Sequence, residues 1–258
     1  MEICVLGSGS SGNCIFAAGG GTRLLIDAGL SLKETTARLA QLGQEMRAID
    51  AVLFTHDHAD HCQGADVFHR RHRLPFYANE GTAAGIEQTV KCPDLSWQIF
   101  EAGSSFAIGG LRVEPFSVPH DAADAVGFVI SDGHVRLGIA TDFGTVTALI
   151  RRKLADCDAL VLETNHDVEM LRQSGRPWSL IQRILGRHGH LSNEAAAELL
   201  GSVLGPRLRT IFLAHLSEAC NTSALAERAV RDVLRHAGRA DVRLVHTHAD
   251  AISERVEL

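Results

Sequence analysis

The sequence predicts an α+β protein in which two β-sheets pack face to face with helices outside them. Three observations lead there. Strand-like apolar runs and helix-like amphipathic runs alternate along the 258 residues in two similar halves. The first strand-like runs are joined by connections too short to hold a crossover helix. Between residues 97 and 140 strand-like pieces dominate, separated by Gly-containing turns. With 45% apolar and 22% charged residues the chain can bury a full core; its length fits one large domain or two small ones, and with no convincing linker the reading is a single domain over residues 1–258.

In order, residues 2–6, 13–18 and 22–27 read as strands, the last two joined by "AAGGGT". A helix follows at about 32–42, where Ser31 and Glu34 form a capping-box pattern before "LKETTARLAQL". "AIDAVLFT" is a buried strand that runs into a histidine-rich loop, with helices near 63–73 and 80–90 beyond it. "LRVEPFSV", "AVGFVIS" and "HVRLGIAT" supply the central strands. After 145 come a helix, the strand "DALVLET", helices near 167–172, 178–187 and 192–203, the strand "RTIFLAHL", a helix at 222–236 and the strand "VRLVHT". There is no repeat at a solenoid period and no low-complexity tract.

A formal charge of −6 argues against a surface that is basic all over. The amino terminus lacks a signal-peptide pattern, and no apolar run approaches the roughly 18–20 residues of a membrane span. Six scattered cysteines without a C-x-x-C pair point to reduced thiols in the cytoplasm. Residues 7–12, "GSGSSG", spell G-x-G-x-x-G after a strand, with Asp27 downstream. A dinucleotide site needs a crossover helix between its first two strands, and "NCIFAAGGGTR" is too short for one. The connection is a hairpin, no nucleotide cofactor is expected, and the run is left as a tight turn or an anion-holding loop.

Histidine is the unusual count, at fourteen. Residues 55–61, "THDHADH", place His56, His58, Asp60 and His61 directly after a buried strand. Imidazole and carboxylate suit zinc, manganese or iron. If the segment is extended, His56, His58 and Asp60 share a face and His61 reaches toward a second ion. Four ligands in one loop cannot close two sites. Three polar residues capping apolar strands complete the set: His120 after "LRVEPFSVP", Asp142 in "TDFG" and His215 after "RTIFLA".

"LLIDAG", "THDHADH", "PH", "TDFG" and "LAHLS" follow the order of the metallo-β-lactamase motifs, and the resemblance covers essentially the whole chain. Within that superfamily "GSGSSGN", "ETNHD", "GHLSN" and "LAHLS" resemble the YycJ/WalJ group of bacterial DNA exonucleases. The resemblance implies a metallo-β-lactamase-like αββα four-layer sandwich with a dinuclear site at one edge. It implies His56, His58 and His120 on one ion, Asp60, His61 and His215 on the other, Asp142 bridging them, and Asp27 orienting the histidine loop. Cysteine near position 142 and Glu at position 58, which mark the β-lactamases and the di-iron flavoproteins of this fold, are both missing, which favours ester hydrolysis. Two divalent ions, zinc or manganese with iron also compatible, would share a hydroxide nucleophile.

By the same resemblance His190, in "GHLSN", is the general acid for a leaving 3′-oxygen. Asn165 and His166 end a strand and are candidates for substrate contact or support. Ser8, Ser10, Ser11 and Asn13 are candidate donors to a substrate phosphate. His188, the mimic "HTHAD" at 246–250 and the basic runs "HRRHR" and "IRRK" read as surface. The expectation is a phosphodiesterase with DNA as substrate, a 5′-to-3′ exonuclease by the group resemblance. A small-molecule (cyclic) phosphodiesterase or thioesterase is the alternative, and a non-catalytic metal-holding scaffold a third reading. Oligomeric state is not legible.

Overall fold

The computed structural model describes residues 1–258. One sheet holds β1 (Glu2–Gly7), β2 (Cys14–Gly19), β3 (Thr22–Ile26), β4 (Ala51–Leu53), β5 (Phe76–Ala78) and β6 (Trp97–Ile99). The other holds β7 (Phe106–Ile108), β8 (Leu111–Ser117), β9 (Val126–Ser131), β10 (Arg136–Ala140), β11 (Ala159–Glu163), β12 (Thr210–Ala214) and β13 (Arg243–His246). The last strand, β14 (Val256–Glu257), returns to pair with β1. The sheet orders are β14-β1-β2-β3-β4-β5-β6 and β13-β12-β11-β10-β9-β8-β7. Each combines an antiparallel meander with a run of parallel strands.

The antiparallel β1–β2 pair is the hairpin that the glycine run required. Parallel neighbours need crossovers, and helices supply them. In the first half these are α1 (Leu32–Gln41), α2 (Ala59–Cys62), α3 (Ala65–His72) and α4 (Glu80–Val90). The second half has α5 (Ala148–Leu154), α6 (Val168–Arg172), α7 (Trp178–Ile184), α8 (Asn193–Val203) and α9 (Ser223–His236). No helix is long and apolar enough to cross a membrane.

The period-two alternation of the strands builds the four layers. In β1, Ile3 and Val5 enter the core between the sheets, while Cys4 and Leu6 pack beneath α1 and α3. In β11, Ala159 and Val161 face the other sheet, and Leu160 and Leu162 face α5 and α8. Each such Leu or Ile is worth about 1.5–3 kcal/mol of burial. In α9, Ala226, Val230 and Leu234 recur at four-residue spacing and are buried, so one stripe docks the helix.

Three local readings differ from expectation. The helix expected near 63–73 is α3, and a further short helix, α2, precedes it within the expected loop, separated from α3 around Gly64. A Cβ there would stand 2.4 Å from Leu30 O, so the chain must turn where it crosses that backbone. Ser31 caps α1 through Glu34 N at 3.1 Å, but the Glu34 carboxylate pairs forward with Arg38 instead of closing the box. The short strands β5 and β14 carry too few residues to show a period in sequence.

Candidate metal centre

The carboxyl ends of β3, β4, β10, β11 and β12 open on one edge of the sandwich, where sheets with parallel strands place their ligands. Beyond β4 the chain stays extended through His58, and the His56 and His58 rings lie 4.7 Å apart. His58 then caps α2, whose first turn carries Asp60 and His61. The expected alternation therefore holds for His56 and His58 only. Asp60 arrives by a helical turn, because the chain winds into α2 at Ala59.

Each imidazole is held by its outward nitrogen. Asp27 Oδ2 stands 2.7 Å from His61 Nδ1, and a carboxylate only accepts, so Nδ1 carries the proton and Nε2 turns inward. Asp27 also accepts from Thr55 N and Thr55 Oγ1, both at 2.8 Å, and Thr55 Oγ1 meets His56 Nδ1 at 3.0 Å. His120 Nδ1 donates to Gly189 O at 3.2 Å, His58 Nε2 to Asp121 O at 3.3 Å and His215 Nδ1 to Glu163 Oε1 at 3.2 Å.

Three of the inward atoms have no such partners. His56 Nε2, Asp142 Oδ2 and His215 Nε2 are buried without a hydrogen bond, a costly state unless something else binds them. His120 Nε2 and His58 Nδ1 face each other at 3.3 Å. His61 Nε2 lies 3.4 Å from Asp142 Oδ2 and 3.5 Å from Asp60 Oδ2, and His215 Nε2 lies 3.5 Å from Asp60 Oδ2. Ligand atoms about 2.0–2.1 Å from a tetrahedral ion stand about 3.3 Å from one another. The donor set and its spacing fit metal ions. Potential ligand atoms fall within 4.8 Å of one another in four sets: His56, His58, His120; Asp60, His61, His215; Asp142 with His56 and His61; and Asp142 with Glu163, His190 and His215.

Backbone strain collects here. Of the six non-glycine residues with left-handed φ, three lie here: Asp27, Asp142 and His215, at 64°, 59° and 57°. All three follow a strand, and the turn aims each side chain at the common centre. Such residues cost of order 1–3 kcal/mol each and persist where the surroundings over-determine them.

Glu163, at the end of β11, was passed over in the sequence. It is fully buried and accepts from His190 Nδ1 at 2.7 Å and His215 Nδ1 at 3.2 Å. Its other oxygen accepts from Phe143 N at 3.1 Å and Leu191 N at 3.2 Å. Its signals were an acid closing the otherwise apolar "ALVLE" and its place at the head of "ETNHD".

Charge and burial compete throughout the site. Burial works against a charged His61, but Asp142, Asp27 and Asp60 overcome it and raise it to about 9. His215 is raised well above the ordinary histidine value, against burial, by Asp142, Asp60 and Glu163. His56 is pushed well below it by burial and by the neighbouring histidines. Burial would raise Glu163 and Asp60, yet His190 with His215 holds the first, and His215 with His61 the second, well below the carboxylate range. His190 is raised against burial by Glu163 and Asp142.

A cleft of about 350 Å³ opens over these residues, at the small end of the ~300–1,000 Å³ range of ligand sites. Leu180 and Ile184 are its only hydrophobic lining, which suits a charged, polar ligand. His58, Asp60, Asp142, His190 and His215 reach it. Of the expected substrate contacts, Ser10 and Asn165 line it. Asn165 Nδ2 also donates to His215 O at 2.9 Å. Ser8, Ser11, Asn13 and His166 are not brought to the cleft wall. Ser8 Oγ accepts from His215 N at 2.7 Å, which ties β1 to the last metal-type histidine. Asn13 Nδ2 lies 3.1 Å from Asp60 Oδ2 and 2.9 Å from His61 Nε2, so it braces the loop. Ser11 is exposed, with its carbonyl on Gln63. His166 is 1% exposed behind Asn165. His188, His248 and most of the "HRRHR" run are exposed, as expected.

Fold and site together define a metal-dependent hydrolase. The chain belongs to the beta-lactamase superfamily, whose domain description, "Beta-lactamase superfamily domain", matches residues 22–216. It is 38% identical to Exodeoxyribonuclease YycJ of Bacillus anthracis over 92% of this chain and 90% of that one. It is 37% identical to Exodeoxyribonuclease WalJ of Streptococcus pneumoniae over 88% of this chain and 85% of that one. Its fold matches the metallo-beta-lactamase fold protein YhfI of Bacillus subtilis with a TM-score of 0.72, 15% identity, and coverage of 98% and 99%.

Proposed function

We propose that the chain is a dinuclear metal-dependent phosphodiesterase that degrades DNA from an end in the 5′-to-3′ direction. The observation that carries the dinuclear reading is the pair of ligand sets with Asp142 between them. The exodeoxyribonuclease names of the 38% and 37% identical relatives support DNA as substrate. The resemblance to the YycJ/WalJ group supports the direction.

His56, His58 and His120 would hold one ion, Asp60, His61 and His215 the other, with Asp142 on both. Bound zinc or manganese would activate water near neutral pH and neutralise charge on a phosphoryl oxygen. The rest of the chemistry belongs to the chain. Asp27 and Thr55 fix the tautomers of the histidine loop. Asp60 and Asp142 line the cleft, where they would help hold the ions beside the reacting phosphate. His190 donates Nδ1–H to Glu163, which leaves Nε2 for the cleft. From there it gives its proton to the departing 3′-oxygen. Ser10 and Asn165 meet the substrate at the rim. Six unpaired thiols suit a reducing cytoplasm.

The test is a panel of end-labelled linear duplex, single-stranded DNA, RNA and bis(p-nitrophenyl) phosphate, each with added manganese or zinc. Metal-dependent release of nucleotides from the 5′ end of DNA is expected. Turnover of the small diester with no loss of DNA overturns the exonuclease reading in favour of a small-molecule phosphodiesterase.

A further inference from the structure

A chain of net charge −6 that grips a polyanion needs a local positive path. The cleft is otherwise acidic, with Asp60, Asp121 and Asp142 in its wall. Its only arginines are Arg176 and Arg183, and it has no lysine. Both belong to one wall element. Ile181 of α7 is buried against Leu171 and Cys220, which pins the helix. Leu180, Arg183 and Ile184 then face the cleft, and Arg176 stands just before the helix.

Arg183 is held in an unusual way. Its Nε donates to Asp121 Oδ2 at 2.5 Å, and that is its only ion pair, so its two terminal NH2 groups are free. The Asp121 carboxylate in turn stands 3.6 Å from His120 Nε2 and 4.0 Å from His58 Nε2. A carboxylate thus sits between the arginine and the metal-type histidines and supplies the negative charge that Arg183 faces. Arg176 lines the same cleft and forms no ion pair.

We propose that Arg183 and Arg176 form a clamp for the nucleic-acid backbone phosphates flanking the scissile one, and that the Asp121 carboxylate competes with a substrate phosphate for Arg183. The clamp rests on the nuclease reading above. It assigns the specificity for a strand, as opposed to a small diester, to the α7 wall. The arginines act as binding and positioning residues, with no part in proton transfer.

The experiment measures binding of a fluorescent, phosphorothioate-linked single strand to the metal-loaded full chain over a salt series. Each lost phosphate contact on a single strand lowers the slope of log K against log salt by about 0.7. R183A and R176A are each expected to show that decrease, the double variant about twice it, with affinity down roughly tenfold per arginine at low salt. R183K should keep the slope. R71A, which removes an exposed charge from α3, should match wild type in slope and affinity. D121N should tighten binding about threefold in the wild-type background and have no effect in R183A. Wild-type slopes in R183A and R176A, or an equal loss in R71A, overturn the clamp. Weaker binding by D121N overturns the exchange with Asp121. Digestion of unmodified DNA by the wild type separates the two failures. If it releases no nucleotides, the nuclease reading itself is wrong; if it does and the slopes do not move, only the clamp is.

Discussion

Glu163→Gln is the most informative single change, because it keeps the side chain's volume and alters only what it can accept. In Glu163 one oxygen accepts from His190 Nδ1 at 2.7 Å and His215 Nδ1 at 3.2 Å, the other from Phe143 N and Leu191 N. Whichever way the amide turns, its NH2 faces two donors. Two buried groups lose their acceptor, at about 1–3 kcal/mol each, so a loss of about 2–6 kcal/mol is expected in denaturant unfolding. The chemistry changes as well. Burial lowers His190 while the Glu163 carboxylate and Asp142 raise it, so without the Glu163 anion the balance moves toward burial and the acid form is lost at lower pH. The alkaline limb of the kcat profile should move toward acid. For DNA, whose 3′-oxygen needs a proton, kcat should fall about 100-fold, and much less for p-nitrophenolate departure. Loosening His215 should weaken metal affinity by about 10–100-fold, measured against a competing chelator. A variant with wild-type metal affinity and an unmoved pH profile would refute this reasoning.

Asp27→Asn leaves one acceptor oxygen where Thr55 N and His61 Nδ1 occupy two, so its NH2 must face one of these donors, and it should lower metal affinity by about 10–100-fold while circular dichroism stays native. Asp142→Ala should abolish hydrolysis and reduce bound metal, checked by elemental analysis. Gly29→Ala places a Cβ 1.7 Å from Asp60 O, so the loop must shift; a loss of about 1–3 kcal/mol in stability, with reduced metal content, is expected. Burial depresses His166 to about 4. Its contribution to stability is therefore present above the unfolded value near 6.5 and is lost as pH falls toward 4. By pH 4.5 this amounts to about 2–3 kcal/mol, and His166→Gln should lack that part of the acid sensitivity in urea unfolding.

Most of the fold was legible because its determinants are local. The short connection after "GSGSSG" could only be a hairpin, and it is one. The alternation in "EICVLG" and the stripe in α9 named their buried faces directly. The histidine loop was legible because four ligand types crowd into six residues. What stayed hidden depends on contacts distant in sequence. Glu163 reads as one acid in an apolar strand, and only the approach of α8 and β12 gives it His190 and His215. Ser8 and Asn13 read as donors to a substrate phosphate, but in the fold Ser8 accepts from His215 N and Asn13 meets the histidine loop. Asp121 followed a recognised histidine and carried no signal until α7 brought Arg183 beside it.

The claim on which the rest depends is that this edge of the sandwich holds two ions. Anomalous diffraction above and below the zinc or manganese edge, with elemental analysis of the same crystals, tests it most directly. Two peaks per chain are predicted, one among His56, His58 and His120 and one among Asp60, His61 and His215, with Asp142 in contact with both. A single peak, or peaks away from these side chains, would contradict it.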